Sequence, residues 1–317
     1  MLDKFKIGHY TDDEKGTGVT VILAEDGATG GVSVRGSAPA TRETDLLHCE
    51  KTVDKINAVV LSGGSAFGLE SSCGVVDYLY KKDVGYNAGG CRVPIVSGAS
   101  IYDLEYKSFG YPDKAAGYKA AEDAKTDNFI SGSIGGGTGA TVGKICGMNC
   151  AAKAGIGVQT YELNGIEIAV IAVVNALGDV VKDGKIIAGM RTEDGGFLDS
   201  LKVFSAGSLD IKNSNTTIGC VLTNAKITKV EANILADLAH DGLARAISPS
   251  HTRFDGDAFF TMASGEKTVE FNILTALIPV LTEKAIAAAV SDGGGHIQQR
   301  VNKLLFGVFQ KMWKRKD

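Results

Sequence analysis

Apolar positions in the first part of the chain recur in short runs rather than at helical spacing. Val19-Thr20-Val21-Ile22-Leu23 and Gly31-Val32-Ser33-Val34 lie either side of Glu25-Asp26-Gly27, which predicts a hairpin. Ala58-Val59-Val60-Leu61 is a short continuous apolar run and predicts a buried strand ending in Ser62-Gly63-Gly64. Phe67, Leu69, Val75, Val76 and Leu79 then predict a helix from about Ser65 to Lys82, with a second near Lys114 to Ala124.

The middle of the chain is again strand-like. Gly157 to Leu163 and Ile166 to Val174 are separated by Asn164-Gly165, a pair that tolerates the positive φ angles of a type I′ turn. Asp183-Gly184 stands in the same way between Val180-Val181 and Lys185-Ile186-Ile187. Thr192 to Asn215 is polar and without period, and reads as an exposed loop or linker. Apolar character returns at Thr217-Ile218-Gly219-Cys220-Val221-Leu222, a strand. Thr228 and Glu231 have the spacing of a capping box, opening a helix whose apolar face is Val230, Ile234, Leu235, Leu238 and Leu243. A further helix is expected from about Lys267 to Val290, and Asp292-Gly293-Gly294-Gly295-His296 as its C-terminal turn. Strands and helices in mixed order favour a layered α/β structure.

Composition narrows the function. The 33 basic and 37 acidic residues give a net charge of −4, with no basic field to hold nucleic acid or an anionic membrane. The basic tail Lys311 to Lys316 reads as a solvated chain end. Forty-one glycines against five prolines imply many tight turns and close backbone approaches. Cys49, Cys73, Cys91, Cys146, Cys150 and Cys220 form no CxxC pair and are expected to be free, buried thiols in a reducing compartment. The first residues carry no apolar run of signal-peptide length, and no stretch reads as a membrane span, so a cytoplasmic protein is expected.

Several motifs could mislead. Ser133 to Lys144 resembles a phosphate loop, but Thr138 stands where a Walker glycine should be and Ile145 where the magnesium-binding hydroxyl should be. A tight, closely packed turn is the simpler reading. Leu61 to Gly68 could hold a nucleophile elbow, but Phe67 replaces its last glycine. His9, His48, His240, His251 and His296 have no local context that marks a catalytic base.

Asn213-Ser214-Asn215-Thr216-Thr217 joins the polar linker to an apolar strand. A hydroxyl at such a junction can attack the preceding carbonyl, shift the peptide to an ester and free an α-amine of pKa about 7.7–8.0 that serves as its own base. Asn-Thr-Thr is equally a glycosylation sequon, which the lack of a secretory signal disfavours. Asp255-Gly256-Asp257 places two carboxylates on one face of an extended backbone. The pair can hold a hydroxyl and an ammonium, and also fits an ordinary Asp-Gly turn or a loose cation site.

Motifs spread along nearly the whole chain resemble those of the DmpA-type family of L-aminopeptidase/D-esterases, β-peptidyl aminopeptidases and nylon-oligomer (6-aminohexanoate-oligomer) hydrolases. They are Ile7-Gly8-His9 with Thr17 to Val21, Arg35 to Thr44, Leu61 to Leu69, Val93 to Val96, the turn ending in Lys144, Asn215-Thr216-Thr217 and the string around Asp255-Gly256-Asp257. The nylon-oligomer hydrolase branch is the most similar, in its Asn–Thr cleavage site and Asp-Gly-Asp pair. The resemblance implies a four-layer αββα sandwich in a single domain, residues 1–317, cut into 1–215 and 216–317 and assembled as a homotetramer, with no metal or organic cofactor. It implies Thr216 as nucleophile, Asp255 orienting its hydroxyl or amine, and Asp257 in support. Lys144 would stabilise negative charge or tune the nucleophile, Asn175 would form part of the oxyanion site, and Tyr102 would line the substrate pocket. Each of the last three also has a plain reading: a surface turn lysine, a strand-end cap and a core tyrosine.

The aminopeptidase members of the family mostly carry Ser at the nucleophile and a Ser-x-Glu-like pair downstream, so Thr216, Asp255 and Asp257 depart from them. The function implied is hydrolysis of short peptides or ω-amino-acid oligomers through an acyl-enzyme. Competing expectations are an L-aminopeptidase/D-esterase or β-peptidyl aminopeptidase, an ornithine-acetyltransferase-like acyl transferase, and a nucleotide-binding module built on the glycine turns.

Overall fold

The computed structural model describes residues 2–192, 195–207 and 215–291. Eight strands carry the architecture: β1 (Lys6–Asp12), β2 (Thr17–Val34), β3 (Lys55–Ser62), β4 (Val96–Ser100), β5 (Ile156–Leu163), β6 (Ile166–Asn175), β7 (Thr216–Ala225) and β8 (Ala258–Lys267). Four helices cover them: α1 (Ser71–Lys81), α2 (Lys114–Glu122), α3 (Lys229–Ala246) and α4 (Phe271–Ala288). The sheet runs β5-β6-β7-β8-β2-β3-β4, closed at the far edge by Thr41–Arg42, with β1 paired to β2. β7–β8 and β3–β4 are parallel; the other principal pairs are antiparallel.

The period-2 alternation of the strands sorts side chains into three apolar layers. On β7, Ile218, Cys220 and Leu222 face Ile22, Val59 and Leu61 in a central layer between the two halves of the folded-over sheet. Val221 and Ala225 point the other way, toward Leu235, Leu243, Ile278 and Leu281 of α3 and α4. On the opposite flank Val19, Val21, Ala58 and Val60 meet Val75, Leu79, Ala116 and Ala120 of α1 and α2. Helices, sheet, sheet and helices therefore stack in four layers, the expected αββα sandwich.

β2 is where the structure departs most from the sequence expectation. Glu25-Asp26-Gly27 is not a hairpin turn: β2 continues through it for 18 residues, with a register shift against β3 between Leu23 and Ala28. The polar residues mark an irregularity on one strand that serves both halves of the sheet, because such a bulge bends a strand without ending it. The first predicted helix is broken into Ser65–Gly68 and α1. Within the expected linker, Ser200–Ser205 forms a short helix, capped where the Asp199 side chain accepts the Lys202 N–H.

Other expectations match closely. Asn164 and Gly165 take φ of 53° and 79°, and Asp183 and Gly184 take 51° and 72°. Thr228 and Glu231 form both halves of the capping box. The buried face of α3, however, is Ala232, Leu235, Ala236, Ala239, Leu243 and Ala246, leaving Val230 and Ile234 exposed. Small residues line it because the helix lies close on the sheet: a Cβ at Gly31 of β2 would collide with the backbone of Ala232. Lys267 belongs to β8 and not to the last helix.

α4 corrects a second expectation, since it is long and apolar enough to cross a membrane. Its Leu274, Ile278, Leu281, Ala285 and Ile286 are buried, and it packs along α3 and β5. The six cysteines are free, but only Cys220 is buried, and Cys49 and Cys91 are exposed. The expected turn at Asp292 to His296 and the basic tail lie outside the described residues.

The contact at Gly31 generates a stability prediction. Gly31→Val should lower stability by about 1–3 kcal/mol, as overpacking does where the opposing atoms are backbone. A urea midpoint equal to that of the unaltered chain would show that the α3 layer can move aside.

Candidate active site

The site forms where the ends of β6, β7 and β8 meet. Thr216 opens β7 and pairs across the sheet with Asn175, the last residue of β6. Just before β8, Asn215 and Asp255 form a parallel bridge. The Asn215 N–H donates to the Phe254 carbonyl, and the Gly256 N–H donates to the Asn215 carbonyl, both at 2.8 Å. The hydroxyl of Thr216 lies against that same carbonyl oxygen. A Cβ at Gly256 would stand 2.9 Å from the Thr216 hydroxyl and 2.5 Å from the Ala38 carbonyl, so only glycine fits there undistorted.

Both carboxylates of Asp255-Gly256-Asp257 are buried. Asp255 Oδ2 accepts the Thr252 N–H at 2.9 Å and the Thr252 hydroxyl at 2.6 Å. Burial, and then the charge of Asp257, push its carboxyl above the ordinary range, because each disfavours the ionised form. Asp257 Oδ1 accepts the Thr217 N–H at 2.7 Å, and its Oδ2 faces His251 Nδ1 at 2.7 Å.

On the other side of Thr216, Lys144 is fully buried and donates to the Asn175 carbonyl at 2.9 Å and to Asn175 Oδ1 at 2.8 Å. Burial lowers its ammonium to about 7, against the pull of Asp255, Asp103 and Glu105. Asn175 Oδ1 also accepts the Thr141 N–H at 3.1 Å, which fixes the amide so that Nδ2 donates to the Tyr102 carbonyl at 2.9 Å. Tyr102 meets the site through its main chain; its hydroxyl turns outward to Glu105 at 3.0 Å. Lys144 is thus no surface residue and Tyr102 no core residue, whereas Asn175 does sit at a strand end.

The glycine-rich segments pack around two further ionisable groups. Asp103 accepts the Thr17 hydroxyl at 2.8 Å and the Gly64 N–H at 2.6 Å, and burial raises its carboxyl to about 6. Lys153 donates to the carbonyls of Gly137 and Ala140 at 3.1 Å and to that of Ala154. Its ammonium is lowered to about 7, again chiefly by burial. The turn that resembled a phosphate loop is therefore filled by protein: its own Gly135, Gly136 and Gly137 are buried, and the Lys153 ammonium sits on its carbonyls. Ser65, the serine of the elbow candidate, takes a positive φ of 52° and donates its main-chain N–H to the Ile101 carbonyl at 2.8 Å, while the neighbouring Ser62 is bonded to Ser100 at 2.6 Å and to the Gly68 carbonyl at 3.2 Å. Among the described residues no group of three or more His, Cys, Asp or Glu side chains is placed to hold a metal ion.

The sequence-predicted residues Asn215, Thr216, Asp255, Asp257, Lys144 and Asn175 come together, with Tyr102 alongside. Asp103, Thr141, Lys153, His251, Thr252 and Gly256 were not foreseen. For Lys153 a signal existed, a single charge in Ala151-Ala152-Lys153-Ala154-Gly155. Asp103 and Thr141 are recognisable only through contacts distant in sequence, and His251, Thr252 and Gly256 only through loop geometry.

Residues 3–298 match the profile of peptidase family S58. The chain is a member of that family. It is 35% identical over 315 residues to an uncharacterized aminopeptidase of Mycobacterium leprae, covering 90% of this chain and 85% of that one. It is 32% identical over 266 residues to a 6-aminohexanoate-oligomer endohydrolase of Paenarthrobacter ureafaciens, covering 81% and 72%. Its fold superposes on the L-aminopeptidase D-Ala-esterase/amidase of Ochrobactrum anthropi with a TM-score of 0.70 at 18% identity, covering 98% of this chain and 92% of that structure. That protein is described as a variant of the Ntn hydrolase fold, and this family member shares the fold.

Lys153 supplies a test by linkage. The unfolded lysine titrates near its ordinary 10.5 and the folded one at about 7. Between those values the unfolded chain binds more protons, so this residue's contribution to stability rises with pH and is lost as pH falls through about 7. The stability difference between the unaltered chain and Lys153→Met should therefore move in favour of the lysine by about 2 kcal/mol from pH 7 to pH 9. Urea titrations at the two pH values measure it, and a pH-independent difference would mean that Lys153 is charged throughout.

Proposed function

We propose that the chain is a self-processing amide hydrolase whose nucleophile is Thr216, exposed as a new N-terminus by cleavage of the Asn215–Thr216 bond. One observation carries the reading: the Thr216 hydroxyl touches the Asn215 carbonyl oxygen while the Gly256 N–H bonds that same atom. Attack of Oγ1 on the carbonyl carbon makes a tetrahedral oxyanion, for which a fixed backbone donor is the kind of stabilisation acyl transfer needs. The C–N bond breaks, the amine takes up the proton, and water hydrolyses the resulting ester to free Thr216.

In the mature site the α-amine, of ordinary pKa about 7.7–8.0, accepts the hydroxyl proton as Oγ1 attacks a substrate amide. The leaving amine is protonated, and water then releases the acyl group. Asp255 orients the hydroxyl and amine, and Asp257 supports that arrangement through the Thr217 N–H. Lys144 and Asn175 face the new oxyanion, and a lysine lowered toward 7 can change protonation state within the cycle. Tyr102 borders the acyl pocket.

Short linear amides are the substrates proposed, either peptides or ω-amino-acid oligomers. Relatives named aminopeptidase and 6-aminohexanoate-oligomer endohydrolase support that range, and Asn-Thr with Asp-Gly-Asp favours the second. A cytoplasmic homotetramer of cleaved chains completes the reading.

Intact-mass analysis tests it. The purified chain should yield two fragments with Thr216 at the new terminus, and Thr216→Ala one species of 33.0 kDa. Hydrolysis of a short amide by the alanine variant should fall by about 10³-fold or more. An unbroken chain that is fully active, or an active alanine variant, refutes the assignment.

A further inference from the structure

Two imidazoles stand behind Asp257, and the self-cleavage and hydrolysis assigned to Thr216 use neither. His251 Nδ1 lies 2.7 Å from Asp257 Oδ2. A carboxylate only accepts, so Nδ1 carries the proton and donates. His240, on α3, is completely buried with its Nε2 3.0 Å from the Ser33 carbonyl. That carbonyl also only accepts, so the tautomer of His240 is set: Nε2 is protonated. The two rings meet edge to face, with centroids 5.0 Å apart at 61°. Ser33 belongs to β2 and His240 to α3, so the support reaches into the scaffold on both sides.

The backbone is also committed to this contact. His251 has a φ of 53°, a left-handed conformation that costs energy for a residue with a side chain. The side chain of Asp257 is only 3% exposed, which leaves solvent little room to replace a missing donor. Its other oxygen is occupied by the Thr217 N–H, and the neighbouring carboxyl of Asp255 repels it. Stripped of His251, Asp257 would keep one of these two donors beside a like charge, and would be free to turn away from Thr217.

We propose that His251 is a positioning residue for the nucleophile: braced by His240, it donates to Asp257 and so fixes the carboxylate that holds the Thr217 amide and the first residue of β7 in place. The proposal rests on Thr216 as nucleophile for its kinetic consequences, while its structural half, the anchoring of the Thr217 amide, does not.

Two variants of the full chain separate the donor from the backbone. His251→Gly and His251→Asn both tolerate the left-handed conformation, but only asparagine can present an N–H near the position of Nδ1. His251→Gly should slow fragment release and lower kcat about 10–100-fold, the span expected for losing a hydrogen bond to a charged group, with KM within about twofold. His251→Asn should recover most of that loss. Independently of turnover, hydrogen exchange at the Thr217 amide should quicken about 10-fold or more in the glycine variant and stay near the unaltered rate in the asparagine variant. Equal behaviour of the two variants in exchange overturns the proposal. If the unaltered chain neither cleaves itself nor loses activity as Thr216→Ala, the nucleophile assignment fails instead, and Thr217 exchange still decides the role of His251.

Discussion

The arrangement of the site depends on the backbone clamp around Asn215. Its N–H and carbonyl are taken by Phe254 and Gly256, which continues the parallel register of β7 and β8 three residues ahead of the Ile218–Ala258 pair. Thr216 is then the first residue to enter antiparallel pairing with β6, opposite Asn175. Register in a sheet is discrete, and a slip of one residue would turn Thr216 to the opposite face. The hydroxyl is placed by the ladder, and the side chains around it are arranged to suit that placement.

Placing ionisable groups beside that ladder is expensive. Lys144, Lys153, Asp103 and Asp255 are all taken out of water, and in each case burial is the largest influence on the proton equilibrium. The chain offsets the cost with hydrogen bonds rather than with close ion pairs: Lys144 lies on Asn175 and Lys153 on three carbonyls. Carboxyls raised and ammoniums lowered toward the same range can exchange protons near neutral pH, a property that clusters at functional sites. Structural networks share it, and Lys153, bonded to the carbonyls of Gly137, Ala140 and Ala154, shows why a shifted proton equilibrium does not by itself mark a catalytic group.

What is local in this fold can be read from the sequence. The turns at Asn164-Gly165 and Asp183-Gly184 and the capping box at Thr228 are decided by residues within a few positions of one another, and each takes the expected form. The bend in β2 is not local: Glu25-Asp26-Gly27 carries turn chemistry, but pairing with β3 on both sides keeps the strand going. The buried face of α3 differs from its most apolar stripe for a related reason, since close approach at Gly31 selects alanines over larger residues. In the site, family motifs pointed to residues that the structure gathers around Thr216. Asp103 and His251 were out of reach, because a lone Asp or His acquires meaning only from partners such as Gly64 and Asp257, one of them 39 positions away.

The same topology bears on what a cut before Thr216 would do. β7 lies between β6 from the longer piece and β8 from the shorter, and β8 in turn pairs with β2. The shorter piece would thus be held by a strand ladder on each side and by α3 and α4, whose apolar faces cover the sheet. Breaking one peptide bond removes none of these contacts. It releases the only covalent tie at the end of β7, where the Thr217 N–H is already held by Asp257. A nucleophile on a central strand can therefore lose its preceding residue and keep its position, whereas one on a loop would lose the restraint that aims it.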